Sequence, residues 1–200
     1  MEKQKVEVLD DGQKKKEIAL ILFAGCIFTT LAFFLDRFVL YSMGIMQNDL
    51  LSMIFKTITF FGEIEIFPSI AIIITIFLLV YRKKIFGFWL SVISSFVLGF
   101  FLKLIIGRPR PFEFLHVQSI VSTSLSSFPS GHTIAFFCIL PFMNHYFPKG
   151  KIWFWIIALL VGFSRIYLQV HYLSDVVAGA FIGYAIGCSS LYLGEKYGWK

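Results

Sequence analysis

Three short polar stretches interrupt an otherwise apolar chain and contain most of the residues that could do chemistry. They are residues 103–111 (KLIIGRPRP), 127–133 (SFPSGHT) and 164–175 (SRIYLQVHYLSD). Their charged or titratable side chains are Lys103, Arg108, Arg110, His132, Arg165, His171 and Asp175. Each of these costs free energy beside hydrocarbon unless it faces a partner, a cavity or water, so the stretches are candidates for a functional site.

The cations of these stretches favour a phosphate-binding site. Arg binds phosphate oxygens through paired N–H donors and stays charged, and Lys adds a compact positive charge. Arg108 and Arg110 each precede a proline, which disfavours helical backbone, so we expect a helix to end near Gly107 and both side chains to lie in a stiff loop. Gly131 lets the backbone approach a ligand at a predicted helix N-terminus, where free N–H groups bind anions and His132 occupies the first turn.

The two histidines and the aspartate could carry out nucleophilic or acid–base chemistry. His171 and Asp175 are four residues apart, so on a helix they would share a face and the carboxylate would hold one imidazole nitrogen. The other nitrogen would then be free to act as a nucleophile or a base. With His132 in the same site, one histidine could attack while the other protonates a leaving oxygen.

The elements that must position these residues are predicted to be membrane-spanning helices. Hydrophobic residues make up 58% of the 200 residues and charged residues only 15%, unlike an ordinary soluble domain. Six apolar runs lack Asp, Glu, Lys and Arg: residues 18–35, 66–81, 85–102, 133–147, 152–164 and 176–194. Because a helix satisfies its own backbone in lipid, we predict an all-α, polytopic membrane protein with six transmembrane helices in a compact bundle.

The predicted domain organisation is a cytoplasmic tail over residues 1–17 followed by a single six-helix domain over residues 18–200. Residues 50–61, between the first two spans, carry an apolar face and follow the capping residues Asn48 and Asp49. We predict a short interfacial helix here on the outer side, with a buried loop helix as the alternative.

Three glycines in the last predicted helix indicate a close helix–helix contact. Gly179, Gly183 and Gly187 repeat at every fourth residue, which lets another helix approach closely. We predict packing within the bundle, and the alternative is a contact between two copies of the chain. The expected oligomeric state is therefore a monomer or a homodimer.

The distribution of positive charge orients the predicted helices. Twelve of the eighteen Lys and Arg residues lie in the N-terminal tail, the loops after the second and fourth predicted helices, and the C-terminal end. The side with more Lys and Arg faces the cytoplasm. We therefore predict a plasma-membrane protein with both termini inside and the three polar stretches outside. Loop charge also explains the net charge of +6, so we expect membrane lipids and not nucleic acid as partners.

The three stretches together resemble the signature of a known family, although each alone fits a turn, an interfacial histidine or a helix-stabilising pair. The type 2 phosphatidic acid phosphatase superfamily of membrane phosphatases has the three-part signature K-x6-R-P, P-S-G-H and S-R-x5-H-x3-D. This sequence matches it at Lys103, Arg110, Pro111, Pro129, Ser130, Gly131, His132, Ser164, Arg165, His171 and Asp175. No signature position departs from the pattern.

The resemblance implies a role for each matched polar residue. His171 would attack phosphorus and form a phosphohistidine, Asp175 would orient it, and His132 would protonate the leaving oxygen. The phosphoryl oxygens would be bound by Lys103, Arg110, Ser130, Gly131 and Arg165. The family works without a metal or cofactor, which fits a site whose cations already neutralise phosphate charge.

The function implied by the resemblance is hydrolysis of a lipid phosphate or pyrophosphate. An outward-facing site favours recycling of undecaprenyl pyrophosphate to undecaprenyl phosphate, the carrier used in wall synthesis. The alternatives are a phosphatidylglycerophosphate or phosphatidate phosphatase, a lipid phosphotransferase, and a non-catalytic lipid-binding membrane protein. The last is disfavoured because both the nucleophile and its carboxylate partner are present.

Overall fold

Helices account for all the regular secondary structure in the computed structural model, which describes residues 11–63, 65–115 and 126–198. In chain order they are α1 (Asp11–Met46), α2 (Asp49–Phe60), α3 (Phe67–Val80), α4 (Phe86–Ile106), α5 (Pro111–Phe114), α6 (Gly131–Tyr146), α7 (Lys151–Tyr167) and α8 (Leu173–Lys196). The six predicted apolar runs coincide with α1, α3, α4, α6, α7 and α8. The prediction of an all-α fold is confirmed for the described residues.

Among the described residues, three stretches are long and apolar enough to cross a membrane: Asp11–Met46, Phe86–Glu113 and Leu173–Lys196. Helix α3 is equally apolar but shorter, with 14 residues. The number of six spans and the division at residue 18 stay predictions. Helix α1 already begins at Asp11, so the last part of the predicted tail is helical.

The centre of the bundle is α6, which packs against α4, α7 and α8. Every residue from Thr133 to Met143 is buried. The glycine repeat of α8 faces this helix, because a Cβ at Gly179, Gly183 or Gly187 would lie only 2.4–2.8 Å from a backbone carbonyl oxygen of α6 or its N-cap residue. The repeat therefore packs within the bundle, as predicted, and brings the start of α8 against the start of α6.

The outer faces of the helices carry large apolar side chains that no other part of the described chain covers. Among the most exposed are Phe34 and Phe38 on α1, Val80 on α3 and Ile105 on α4, each at least 72% exposed. Large exposed apolar surfaces mark contact with a partner or with lipid. On long apolar helices they indicate lipid-facing surfaces, so the protein is a membrane protein.

Helix α2 lies against α7. Its N-cap is Asn48, whose side chain accepts a hydrogen bond of 2.9 Å from the backbone N–H of Leu51, as the sequence predicts. On the inner face the Phe55 ring packs against Phe163 and Tyr167. The opposite face exposes apolar residues, including Leu50 and Met53. Its location at the membrane interface stays a prediction.

Candidate active site

The structure brings all eight predicted site residues together at one end of the bundle. Lys103 lies at the end of α4 and Arg110 in the loop after it, and Arg165 lies at the end of α7. The start of α6 supplies Ser130, Gly131 and His132. Asp175 lies at the start of α8 and His171 in the loop before it. The cations and histidines lie close enough to influence one another electrostatically. The backbone N–H of Ser130 also donates a 3.0 Å hydrogen bond to the carbonyl of Asp175.

Helix α4 ends where the sequence predicts. Gly107 adopts a left-handed conformation (φ 58°), and its N–H bonds the carbonyl of Lys103 at 3.1 Å, which is a common way to end a helix. Lys103 lies in the last turn, where its ammonium donates to the carbonyl of Ser126 at 2.7 Å and the Ser126 hydroxyl donates back to the Lys103 carbonyl at 2.6 Å. The lysine is thereby fixed beside the segment that leads into α6.

Arg110 lies directly against the imidazole of His171. One guanidinium nitrogen donates to the carbonyl of Val170 at 2.9 Å and lies 3.4 Å from His171 Nε2. Arg110 and His171 are both buried. The Nε2 side of the imidazole therefore faces a fixed positive charge.

The pairing of His171 with Asp175 differs from the predicted one. His171 does not lie on a helix with Asp175, because α8 begins only at Leu173. Asp175 Oδ2 accepts a 2.8 Å bond from the backbone N–H of Tyr172 and one from the hydroxyl of Ser127, and it lies 3.5 Å from His171 Nδ1. A carboxylate at this position satisfies the N–H that opens the helix, which is why the helix starts after the histidine.

The surroundings of His171 keep its imidazole neutral. Complete burial lowers the pKa of His171 well below its usual range, and the charges of Arg110, Arg165 and Lys103 lower the pKa further. The imidazole is therefore uncharged at neutral pH. With the proton on Nδ1 towards Asp175, the lone pair lies on Nε2, beside the cations.

His132 lies in the first turn of α6 under the turn that joins α2 to α3. A Cβ at Gly62 would lie 2.5 Å from His132 Cδ2, so only a glycine allows this turn to pack on the ring. His132 Nε2 is buried and finds no hydrogen-bond partner among the described residues. Buried polar atoms are nearly always paired, so this nitrogen is a candidate for bonding a ligand.

Arg165 is held from α2. One of its terminal nitrogens donates to the hydroxyl of Thr59, and the guanidinium is almost completely buried. Its Nε also lacks a partner among the described residues. Within that part of the chain, the buried side-chain polar atoms without a hydrogen bond are His132 Nε2, Arg165 Nε and His171 Nδ1, so all three belong to this one site.

Arg108 is engaged by carboxylates and does not join the other candidate phosphate-binding cations, with which the sequence grouped it. Its guanidinium lies 2.7 Å from Asp36 Oδ2 and 2.6 Å from Asp175 Oδ1. Sequence reasoning missed Asp36, although a carboxylate directly after the apolar run 18–35 was a possible signal. It also missed Thr59 and Ser127, which are ordinary polar residues that carry no signal in the sequence.

The fold and the site together define a class of protein. Three cations and two imidazoles lie together at one end of the apolar helices, and some of their nitrogens make no hydrogen bond within the described residues. This arrangement is typical of a membrane protein that acts on an anionic group. Residues 84–199 match the family model described as the PAP2 superfamily. The chain belongs to this superfamily of membrane lipid phosphatases, and the resemblance predicted from the sequence is confirmed.

Several characterised relatives share this family. The chain is 30% identical over 185 residues to phosphatidylglycerophosphatase B of Bacillus subtilis, which covers 84% of this chain and 89% of that protein. It is 33% identical over 109 residues to undecaprenyl-diphosphatase BcrC of Bacillus subtilis, covering 53% and 55% of the two chains. The crystal structure of a PAP2 type phosphatidylglycerolphosphate phosphatase from Bacillus subtilis superposes with a TM-score of 0.74 at 25% identity, covering 90% of this chain and 96% of that one.

Proposed function

We propose that this protein hydrolyses a lipid phosphate or pyrophosphate through a phosphohistidine formed on His171 Nε2. The observation that carries the proposal is the environment of this imidazole. It is buried and neutral, its Nδ1 lies 3.5 Å from the Asp175 carboxylate, and its Nε2 lies 3.4 Å from the Arg110 guanidinium. A neutral imidazole next to a carboxylate is thereby directed at a pocket lined by cations, where it can act as a nucleophile.

The first chemical step forms a bond from Nε2 to phosphorus and breaks the bond from phosphorus to the leaving oxygen. The cations Lys103, Arg110 and Arg165 neutralise the charge that gathers on the phosphoryl oxygens. The start of α6 adds the backbone N–H of Gly131 and the hydroxyl of Ser130 as donors. Burial and the neighbouring cations also lower the pKa of His132 in the free protein, so in this mechanism the bound phosphate anion must favour its protonated form. His132 then gives its proton to the leaving oxygen, and Asp175 stabilises the positive charge on the phosphorylated imidazole.

The second step hydrolyses the phosphohistidine. His132, now neutral, takes a proton from a water molecule whose oxygen bonds to phosphorus, and the P–N bond breaks to release inorganic phosphate. His171 returns to its neutral state and His132 to its protonated state. The two steps balance without an oxidant, a reductant or a cofactor.

The substrate class follows from the membrane location and the charge of the pocket. Undecaprenyl pyrophosphate is the first candidate, since an outward-facing site would meet this carrier lipid after its use in wall synthesis. Phosphatidylglycerophosphate is the second, because a relative that acts on it matches 84% of this chain, whereas an undecaprenyl-diphosphatase matches 53%. In both, the lipid tail would stay beside the apolar helices while the phosphate enters the pocket.

Phosphate release from a panel of substrates tests this proposal. We expect purified protein to hydrolyse a lipid substrate with a higher kcat/KM than a soluble phosphomonoester, because tail binding can be used to stabilise the transition state. The panel is undecaprenyl pyrophosphate, phosphatidylglycerophosphate, phosphatidate and glycerol 3-phosphate. The ranking of the first two decides between the candidates. Equal kcat/KM values for lipid and soluble substrates would overturn the lipid assignment.

Metal removal is expected to leave activity largely intact. The proposed mechanism uses side-chain cations where a metal would otherwise neutralise the phosphate, and both oxygens of the Asp175 carboxylate already accept hydrogen bonds. Initial rates after dialysis against EDTA should agree with untreated protein within about twofold. Orthovanadate, which takes five ligands, should inhibit as a mimic of the transition state. Loss of activity with EDTA that magnesium restores would contradict the mechanism.

The orientation in the membrane is expected to place the site outside. Glu113, next to the site, and Lys84, in the loop after α3, are both exposed. In a background with Cys26, Cys138 and Cys188 changed to Ala, an impermeant maleimide should label Glu113→Cys in intact cells but Lys84→Cys only after lysis. The reverse pattern would show that the site faces the cytoplasm and would remove the argument for a carrier lipid on the outer surface.

A further inference from the structure

A buried carboxylate on α1 contacts the segment that holds the proposed nucleophile. Asp36 is only 4% exposed. Its Oδ1 accepts a 2.8 Å bond from the backbone N–H of Ser174, and its Oδ2 accepts one of 2.6 Å from the Ser174 hydroxyl. A buried charge of this kind is costly unless it is paired and hydrogen-bonded. Asp36 lies well before residues 84–199, which match the family.

Arg108 connects Asp36 to the carboxylate that faces the proposed nucleophile. One terminal nitrogen donates to Asp36 Oδ2 at 2.7 Å, and the other donates to Asp175 Oδ1 at 2.6 Å and to the Ser174 hydroxyl at 2.7 Å. The guanidinium also lies 4.0 Å from the ring centroid of Tyr172 and 5.3 Å from that of Phe33. Its planar group is therefore constrained in the plane by two carboxylates and on its faces by aromatic rings.

In this arrangement the two oxygens of the Asp175 carboxylate have different partners. Oδ1 accepts from Arg108, whereas Oδ2 accepts from Tyr172 N–H and lies towards His171 Nδ1. Because Arg108 is shared with a second carboxylate, it neutralises Asp175 less than a guanidinium that served Asp175 alone. Asp175 therefore keeps negative charge for the imidazolium that forms when His171 is phosphorylated.

Further contacts from α1 and from Gln47, the residue after it, hold the same segment. The Gln47 side chain donates to the carbonyl of Tyr167 at 2.8 Å, and the Gln169 side chain donates to the carbonyl of Leu40 at 3.0 Å. These bonds hold the chain just before His171. The contact through Asp36 differs from them, because it reaches the catalytic carboxylate through a charged group.

We propose that Asp36 is a positioning residue for phosphoryl transfer, which acts through Arg108 and Ser174 to fix the orientation and the charge of Asp175. The proposal rests on the proposed function, since it requires His171 as the nucleophile. Asp36 does not bind the phosphate, whose cations are Lys103, Arg110 and Arg165.

Steady-state kinetics of Asp36→Asn give the first test, on the lipid of the above panel that the wild type hydrolyses fastest. We expect kcat to fall by about tenfold to a hundredfold, as for other residues that orient a catalytic group, while KM stays within about twofold because the phosphate-binding cations are unchanged. Asp49→Asn is the matched control, since Asp49 is exposed in the first turn of α2. It should retain wild-type kinetics.

A double-mutant cycle with Asp175→Asn separates positioning from a role in folding. If Asp36 acts through Asp175, then Asp36→Asn should lower kcat by less than about threefold in the Asp175→Asn background. Independent losses that multiply would overturn the inference, and so would a raised KM with an unchanged kcat.

Arg108→Lys provides a second variant should Asp36→Asn not be recovered in folded form. It keeps the positive charge but cannot donate to both carboxylates in the same plane. We expect a similar fall in kcat that is again masked by Asp175→Asn, and an unchanged kcat would overturn the inference. If the wild-type protein forms no phosphohistidine, both the proposed function and this inference are wrong. If the wild type forms the phosphohistidine but the kcat losses of Asp36→Asn and Asp175→Asn multiply, only this inference is wrong.

Discussion

Replacing His171 with alanine is expected to abolish turnover and the phosphoenzyme together. The variant lacks the only protein atom that the proposed mechanism bonds to phosphorus, so kcat should fall by about 10⁴-fold or more, as when a covalent nucleophile is removed. The side chain is buried between Arg110 and Asp175. The measurements are phosphate release and trapping of phosphorus-labelled protein at alkaline pH, where a phosphohistidine is stable.

His145→Ala is the matched control for this experiment. His145 lies in the last turn of α6 and faces Glu195, 3.4 Å away, at the end of α6 opposite the site. It should retain wild-type kcat and the labelled phosphoenzyme. Persistence of the labelled intermediate in His171→Ala would mean that another residue is the nucleophile.

The second large effect is expected at His132 and depends on the leaving group. A lipid alkoxide leaves poorly without a proton, so His132→Ala should lower kcat on a lipid monoester by about 10²–10⁴-fold, the usual contribution of a general acid. An aryl phosphate has a good leaving group and hardly needs protonation. On 4-nitrophenyl phosphate the same variant should lose about tenfold or less. The decisive quantity is the ratio of the two losses.

Asp175→Asn supplies the comparison for this ratio. This variant keeps the nucleophile but weakens its orientation, so we expect similar losses on both substrates, smaller than those of His171→Ala. If His132→Ala lost activity equally on both substrates, its role would be phosphate binding and not acid catalysis. If His171→Ala kept aryl phosphatase activity while His132→Ala lost it, the two histidines would have exchanged roles.

The sequence by itself indicated the class of chemistry and determined much of the local structure. Apolar runs of limited length located the six long helices, since hydrocarbon leaves a backbone few alternatives to helix. The end of α4 follows from Gly107 and the two Arg–Pro pairs after it. Backbone preferences at a glycine and before a proline depend on neighbouring residues only, so the sequence is enough to predict them. Residue types sufficed to indicate a phosphate site, since fixed positive charge and imidazoles are what phosphoryl transfer requires.

Only the tertiary structure decided how the charges are shared among these residues. Arg108 looks equivalent to Arg110 in the sequence, yet it pairs with Asp36, 72 residues away, while Arg110 lies against His171. A buried charge needs an oppositely charged partner. Which residues become neighbours depends on how the helices pack and on the face that each turns towards the others, and a local sequence pattern does not encode this.

The contacts that α2 and the turn after it make with the site were equally beyond prediction from the sequence. Thr59 accepts from Arg165, and Gly62 packs on His132, although neither residue type is distinctive. These contacts exist because α2 packs against α7 through aromatic rings. The start of α8 was likewise decided by the fold, since the Asp175 carboxylate caps the helix and thereby leaves His171 in the preceding loop, where its Nε2 reaches the cations.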